Sequence, residues 1–261
     1  MADVKIIFYD IDGTLVDPAT RCISEKTVQT IEKIRSKGIL HCIVTGRPCA
    51  SLPDFGGLQF DAMATFNGSF CYTDKAVIYS NPIDPADVQT VLKNAASLGR
   101  PVSVAVRDRL AANGLDPDLA DYYRLAKLTL TVAEDFDAAC AEDVYQIMLG
   151  CREADHPAII QGTSGVQLAI SWDRAVDVIP KTGGKGHAIG QILSYFGLDA
   201  SQALAFGDGQ NDIEALQAVG TGVAMGNAAP QLKAVADFVC GSVSQDGVYH
   251  YCVEQGLIDR L

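Results

Sequence analysis

A repeated change of pattern, from a short apolar run to a segment with helical spacing, most constrains the fold. The run "VKIIFYD" (residues 4–10) is almost continuously apolar, as expected of a parallel strand that is covered on both faces. In the following segment, Val28, Ile31 and Ile34 have helical spacing, and Ser24 can cap the first turn. The strand pattern returns in "ILHCIVTG" and "AMATFNG". This alternation predicts right-handed βαβ units around a parallel sheet.

The pattern changes in the middle of the chain and later resumes. Between about residues 81 and 182, strand-like pieces such as "PVSVAV" and "AVDVIP" lie among helical pieces, and none ends in acids as the first strand does. The original alternation resumes with "KGHAIGQILSYFG". We therefore predict an α/β protein in which residues 1–80 and 183–261 form a doubly wound parallel sheet, and residues 81–182 form an inserted α/β domain.

Polar residues follow the predicted core strands at their carboxyl ends. They occur in the stretches "FYDIDGT", "CIVTGR", "FNGS" and "LAFGDGQND". Open α/β sheets bind their ligands just beyond these strand ends, so we expect Asp10, Asp12, Asp208 and Asp212 to lie in one crevice. Four carboxylates require a cation there. A site made only of oxygen ligands favours Mg²⁺.

The composition restricts the partners. A formal net charge of −12 argues against binding to nucleic acid or to an anionic membrane surface. The eight cysteines form no C-x-x-C pair, which argues against zinc sites and predicts reduced thiols. There is no apolar run of about 18 residues and no signal-peptide pattern, so we expect a cytoplasmic protein. We expect its partner to be a small molecule. The sequence does not indicate an oligomeric state.

Four short stretches of the sequence together resemble the motifs of the haloacid dehalogenase (HAD) superfamily. They are "DIDGTL", "TGR", the lysine of "GGKG" and "GDGQND", and they occur in the family's order. The insertion between the second and third motifs is similar to the large C2-type cap of the Cof-type sugar-phosphate phosphatases. The resemblance implies a Rossmann-like HAD core with a cap domain. It also implies a Mg²⁺-dependent phosphatase for a small soluble phosphomonoester, with a sugar phosphate as the expected substrate.

The resemblance implies a different catalytic role for each of the two acids of the first motif. Asp10 would attack phosphorus and form an aspartyl phosphate, which water then hydrolyses. Asp12 would protonate the leaving oxygen and later take a proton from the attacking water.

The resemblance also implies ligands for the phosphate and the metal. Phosphoryl transfer depends on donors to the phosphate oxygens, and the candidates are Thr45, Gly46, Lys185 and Asn211. Mg²⁺ would be held by Asp10, the backbone carbonyl of Asp12, and Asp208, with Asp212 ordering the metal-bound waters. The candidates for contacts to the rest of the substrate are Arg47, Asn67 and Gly68.

Two alternatives remain open at this point. A phosphotransferase or phosphomutase would use the same nucleophile and differ only in the group that accepts the phosphoryl. A signalling module phosphorylated on aspartate would also contain acids, a threonine and a lysine, but it would leave the insertion between the motifs unexplained.

Overall fold

The computed structural model describes residues 4–125, 128 and 130–261. Its strands, in chain order, are β1 (Ile6–Tyr9), β2 (Leu40–Val44), β3 (Ala62–Thr65), β4 (Phe70–Tyr72), β5 (Val77–Ser80), β6 (Val102–Val106), β7 (Leu110–Ala112), β8 (Val144–Gly150), β9 (Val166–Trp172), β10 (Ala175–Pro180), β11 (Ala203–Gly207), β12 (Thr221–Ala224) and β13 (Phe238–Val239). Its helices are α1 (Glu25–Arg35), α2 (Pro85–Ser97), α3 (Pro117–Leu125), α4 (Phe136–Cys140), α5 (His156–Ile159), α6 (Lys185–Phe196), α7 (Ile213–Gln217), α8 (Pro230–Lys233) and α9 (Gly247–Glu254). No helix within this described part of the chain combines the length and the apolar character needed to cross a bilayer.

The larger sheet has eight strands in the order β13-β12-β11-β1-β2-β3-β4-β5. The strands from β13 to β3 are parallel to one another, which confirms the predicted doubly wound core. Strands β4 and β5 extend it as an antiparallel hairpin that the sequence pattern did not predict. All four residues of β1 are buried, as the continuous apolar run requires. The Ser24 hydroxyl caps α1 by accepting from Thr27 N at 3.1 Å.

The smaller sheet is antiparallel and has the order β7-β6-β8-β10-β9. All of its strands lie within the predicted insertion. The strand before the insertion, β5, ends at Ser80, and the helix after it, α6, begins at Lys185. The exact domain boundaries at residues 81 and 182 remain a proposal.

The two sheets meet through an aromatic contact. Phe66 follows β3 of the larger sheet, and its ring stacks on Tyr145 of β8 with centroids 5.1 Å apart. Phe70, Leu119 and Tyr123 belong to the same buried apolar cluster. Helix α3 therefore packs where the smaller sheet covers the carboxyl ends of the core strands.

Candidate active site

Asp10 lies at the centre of the larger sheet. It follows β1, which pairs with β11 on one side and β2 on the other, and its backbone N–H donates to Phe206 O at 3.1 Å. Its side chain is almost fully buried. Burial raises its pKa from 3.8 to about 7; Lys185 opposes the rise, and Asp212 and Asp12 add to it. The carboxylate form of Asp10 therefore depends on positive charge nearby.

Lys185 supplies one such charge. It is the first residue of α6 and is fully buried. Its ammonium donates to Asp10 Oδ1 at 2.7 Å and also to Asp212 Oδ1. Burial alone would lower the pKa of Lys185, but the charges of Asp10 and Asp212 outweigh it and raise that pKa. The lysine is held as a cation in the interior.

An acidic cluster surrounds this ammonium. Carboxylate oxygens of Asp10, Asp208 and Asp212 all lie within 4.8 Å of one another. Burial raises the pKa of Asp208 to about 8, and the charges of Asp10 and Asp212 contribute to the rise. The second oxygen of Asp212 accepts the backbone N–H groups of Asp208 and Gly209, each at 2.9 Å. The three carboxylates carry more negative charge than Lys185 can offset.

Gly13 allows the first and last motifs to approach each other. Its φ is +83°, and a β-carbon at this position would lie 2.1 Å from Asp208 Oδ2. Only glycine satisfies both the left-handed backbone and this close contact. The loop after β1 is therefore shaped to lie against the Asp208 carboxylate.

The "TGR" loop follows β2, next to Asp10. Thr45 is buried, and its hydroxyl accepts a hydrogen bond from the backbone N–H of Arg47 at 3.1 Å. The Arg47 guanidinium forms two bonds of 2.7 Å to the two oxygens of Asp12, one from Nε and one from Nη2. The Asp12 side chain remains 49% exposed. The sequence pattern did not indicate this pairing, because the two residues are brought together only by the order of the strands.

The remaining predicted residues also converge here. Asn67 is buried, and its Oδ1 accepts from Asn211 Nδ2 at 2.9 Å. Gly68 has φ +91° and packs against the backbone of Gly184. Thus every predicted site residue lies in or beside one crevice. The chemical role of each stays a prediction.

A cavity of about 360 Å³ opens above the acidic cluster, between the two sheets. Its core side includes Asp10, Asp12, Thr45, Arg47 and Asp208. Its other wall comes from the insertion and includes Tyr122, Tyr123, Arg124, Leu128, Met148 and Asp177. Sequence reasoning missed Asp177, although an acid between valines in the apolar strand "AVDVIP" is unusual enough to have marked it.

Asp177 is the buried acid of this second wall. Burial raises its pKa to about 7, and hydrogen bonds from Tyr122 and Asn67 oppose that rise. Tyr122 Oη donates to Asp177 Oδ1 at 2.7 Å, and Asn67 Nδ2 donates to Asp177 Oδ2 at 3.0 Å. A polar group of the smaller sheet is thus joined to the core at the edge of the cavity.

Comparison with known proteins shows the family of the chain. The family model for haloacid dehalogenase-like hydrolases matches residues 7–252. The chain belongs to this family. This hydrolase is 32% identical over 258 residues to the putative phosphatase YkrA of Bacillus subtilis (strain 168), covering 98% of this chain and 99% of that protein. It is 28% identical to the 5-amino-6-(5-phospho-D-ribitylamino)uracil phosphatase YitU of the same organism, covering 95% and 96% of the two chains.

Solved structures of the family have the same architecture. The HAD subclass IIB sugar phosphatase BT4131 superposes with a TM-score of 0.91 at 28% identity, covering 98% of this hydrolase and all of that chain. BT1666 from Bacteroides thetaiotaomicron, a phosphatase of the same superfamily, superposes with a TM-score of 0.90 at 26% identity, covering 98% and 96% of the two chains. The matches confirm the predicted HAD core with an inserted α/β cap, and they confirm the predicted enzyme class, a phosphatase-type hydrolase.

Proposed function

We propose that this hydrolase cleaves a small soluble phosphomonoester, with sugar phosphates as the substrate class, through an aspartyl phosphate on Asp10. The observation that carries the proposal is the position of Asp10. Its carboxylate lies at the wall of the cavity, 2.7 Å from the Lys185 ammonium and within the acidic cluster. A buried nucleophile beside a cation and an open chamber suits attack on a phosphate ester.

The donor set fits Mg²⁺. The cluster offers only oxygen atoms, and burial, together with the charges of the neighbouring carboxylates, raises the pKa values of Asp10 and Asp208 to about 7 and about 8. Asp10, Asp208 and the backbone carbonyl of Asp12 would hold the ion, with Asp212 beside it. When bound, Mg²⁺ would neutralise part of the charge of the carboxylates and of the substrate phosphate.

The residues of the chain would then perform two displacements. An oxygen of Asp10 bonds to phosphorus while the bond from phosphorus to the ester oxygen breaks, and the leaving oxygen takes a proton from Asp12. Water next attacks the same phosphorus, Asp12 accepts its proton, and the bond between phosphorus and Asp10 breaks. The products are an alcohol and inorganic phosphate. Lys185, the Thr45 hydroxyl and the amide of Asn211 would bind the phosphate oxygens.

Proton transfer requires Asp12 to turn towards the substrate. Both of its oxygens bind Arg47 at 2.7 Å, yet half of the side chain is exposed. Carrying the proton that it donates, Asp12 would give up one of these bonds and hydrogen-bond to the ester oxygen instead. Arg47 would remain close to the leaving group, in keeping with the predicted substrate contact.

The cavity limits the leaving group. A volume of about 360 Å³ lies near the lower end of the range for small-molecule sites. Its second wall combines the polar groups of Tyr122 and Asp177 with the apolar side chain of Met148. Such a wall suits a compact polyhydroxylated group. The similarity to the sugar phosphatase BT4131 supports the same class, and we propose residues 81–182 as the cap that provides this wall.

The test is a panel of phosphate esters assayed for release of inorganic phosphate in the presence of Mg²⁺. We expect sugar phosphates to have higher kcat/KM than nucleotides and phosphopeptides. Release of the alcohol without inorganic phosphate would indicate phosphoryl transfer to another acceptor. Failure to turn over any phosphomonoester would refute the proposal.

A further inference from the structure

Asn67 is a connection point between the core and the cap. Its amide oxygen accepts from Asn211 Nδ2 at 2.9 Å, and its amide nitrogen donates to Asp177 Oδ2 at 3.0 Å and to Gln146 Oε1 at 3.3 Å. Only 1% of its surface is exposed. Both ends of one buried amide are therefore bonded to protein, one end to the "GDGQND" loop and the other to the smaller sheet.

The backbone at Asn67 is held in a conformation that few residues adopt. Phe66 has φ 53° and Asn67 has φ 51°, both in the left-handed region, and Gly68 follows at φ 91°. Such a conformation is unfavourable for an aromatic residue and persists only where the surroundings enforce it. Here Phe66 N donates to Arg47 O, and Asn67 N donates to Thr45 O, each at 3.0 Å. The strained pair thus bonds to both ends of the "TGR" loop.

The side chain of Asn67 also fits closely against this loop. A β-carbon at Gly46 would lie 3.0 Å from Asn67 Oδ1, so Gly46 leaves just enough room for the amide. Asn67 therefore contacts the phosphate loop after β2, the loop after β11 and the cap at once.

We infer that Asn67 is a positioning residue. It couples the position of the cap on the core to the alignment of the "TGR" and "GDGQND" loops that bind phosphate. The inference rests on the proposed function. It differs from the substrate contact expected from the sequence, because the amide is already bonded to Asn211, Asp177 and Gln146. A substrate contact would affect some leaving groups more than others. A positioning role would affect every phosphate ester alike.

The first variant is Asn67→Gly, which accommodates the left-handed backbone but lacks the amide. We expect kcat/KM to fall by roughly tenfold to a hundredfold, the effect of losing hydrogen bonds to a carboxylate and an amide. The fall should be similar for a sugar phosphate and for p-nitrophenyl phosphate. The matched control is Asn94→Ala in the cap. Asn94 donates to the carbonyls of Ile159 and Gln161, so its loss should reduce stability without reducing kcat/KM.

A reversed pair tests the coupling itself. Assayed at pH 8, above the Asp177 pKa of about 7, Asn67→Asp alone would oppose two carboxylates across the 3.0 Å contact, and turnover should fall at least as far as in Asn67→Gly. Adding Asp177→Asn restores a donor and an acceptor in the opposite direction. The Gln146 amide, whose Oε1 now accepts from Asn67, can rotate to offer its nitrogen to the new carboxylate. We expect the double variant to regain most of the lost kcat/KM. Because the double variant would also regain stability, kcat/KM is compared under conditions in which every variant is folded.

Binding of inorganic phosphate, measured by calorimetry with Mg²⁺ present, separates this inference from the proposed function because it requires no turnover. Weaker binding by Asn67→Gly and recovery in the double variant would support the positioning role even if no ester were hydrolysed. Wild-type affinity for phosphate in folded Asn67→Gly would overturn it. So would a double variant that binds phosphate no better than Asn67→Asp.

Discussion

The ammonium of Lys185 lies 2.7 Å from Asp10 Oδ1 in the buried centre of the site. Because Lys185 also donates to Asp212, one cation serves two carboxylates, and Asp208 adds a third negative group. This imbalance of charge determines how the site should respond to loss of the lysine and to added metal.

Lys185→Met should destabilise the metal-free protein. Removing one partner of a buried ion pair leaves uncompensated carboxylates, which costs on the order of 3 kcal/mol. Added Mg²⁺ should restore part of that stability. Urea unfolding with and without Mg²⁺ measures both effects, and Lys233→Met, which removes a bond to the Gly226 carbonyl, is the control. A Lys185→Met protein as stable as wild type without metal would contradict this account.

Activity should require Mg²⁺ and vanish with a chelator, since the carboxylate cluster must also accept a phosphate dianion. Ca²⁺ should inhibit, because it prefers more ligands and looser geometry than Mg²⁺ and would misplace the nucleophile. Steady-state assays of a chelator-treated sample, with each ion added back, test this prediction. Full turnover in the metal-free sample would show that the cluster serves another purpose.

Much of the core could be predicted because the sequence patterns that indicate it lie within single short segments. Parallel strands covered on both faces are continuously apolar, and their ends carry the motif residues, so "IIFY" followed by Asp10 indicated both strand and site. The hairpin of β4 and β5 was missed because its short strands follow the strained turn at Asn67 and lack such a pattern. The pairing of Arg47 with Asp12 and of Asp177 with Asn67 depends on packing between distant segments. No local pattern encodes those contacts.

Stability should depend on pH through Asp177. Its pKa is raised from 3.8 in the unfolded chain to about 7 in the folded protein, mainly by burial. A raised pKa means that the folded state retains a proton that the unfolded state releases. The contribution of protonated Asp177 to the free energy of unfolding is therefore complete below about pH 4, and it is lost as the pH rises to about 7.

Asp177→Asn should remove this dependence. Asp10 and Asp208 titrate in both proteins, so the difference in unfolding free energy between wild type and variant isolates Asp177. From pH 5 to pH 8 that difference should shift in favour of the variant, on the order of 2 kcal/mol. Urea unfolding at the two pH values measures it. A difference that does not change with pH would mean that Asp177 remains ionised throughout.

The last prediction separates the roles of the two acids of the first motif. Asp10→Asn removes the nucleophile, so no phosphoenzyme forms and turnover should fall at least roughly a thousandfold. Asp12→Asn retains the nucleophile and loses only the proton donor. With p-nitrophenyl phosphate, whose leaving group is a stable anion, that variant should still become phosphorylated and then stall, because no base activates the water.

The expected signature of Asp12→Asn is a burst of nitrophenol equal to the amount of enzyme, together with a phosphate adduct on the peptide that contains Asp10 after rapid acid quench. The two acids lie in different surroundings in the structure. Asp12 is half exposed and bonded to Arg47, whereas Asp10 is buried against Lys185, so replacing Asp12 should leave the nucleophile and its lysine in place. Asp74→Asn, at an exposed turn, controls for loss of a carboxylate elsewhere. If folded Asp12→Asn gives neither burst nor adduct, or if Asp10→Asn keeps near-normal turnover, the division of labour between these two acids is wrong.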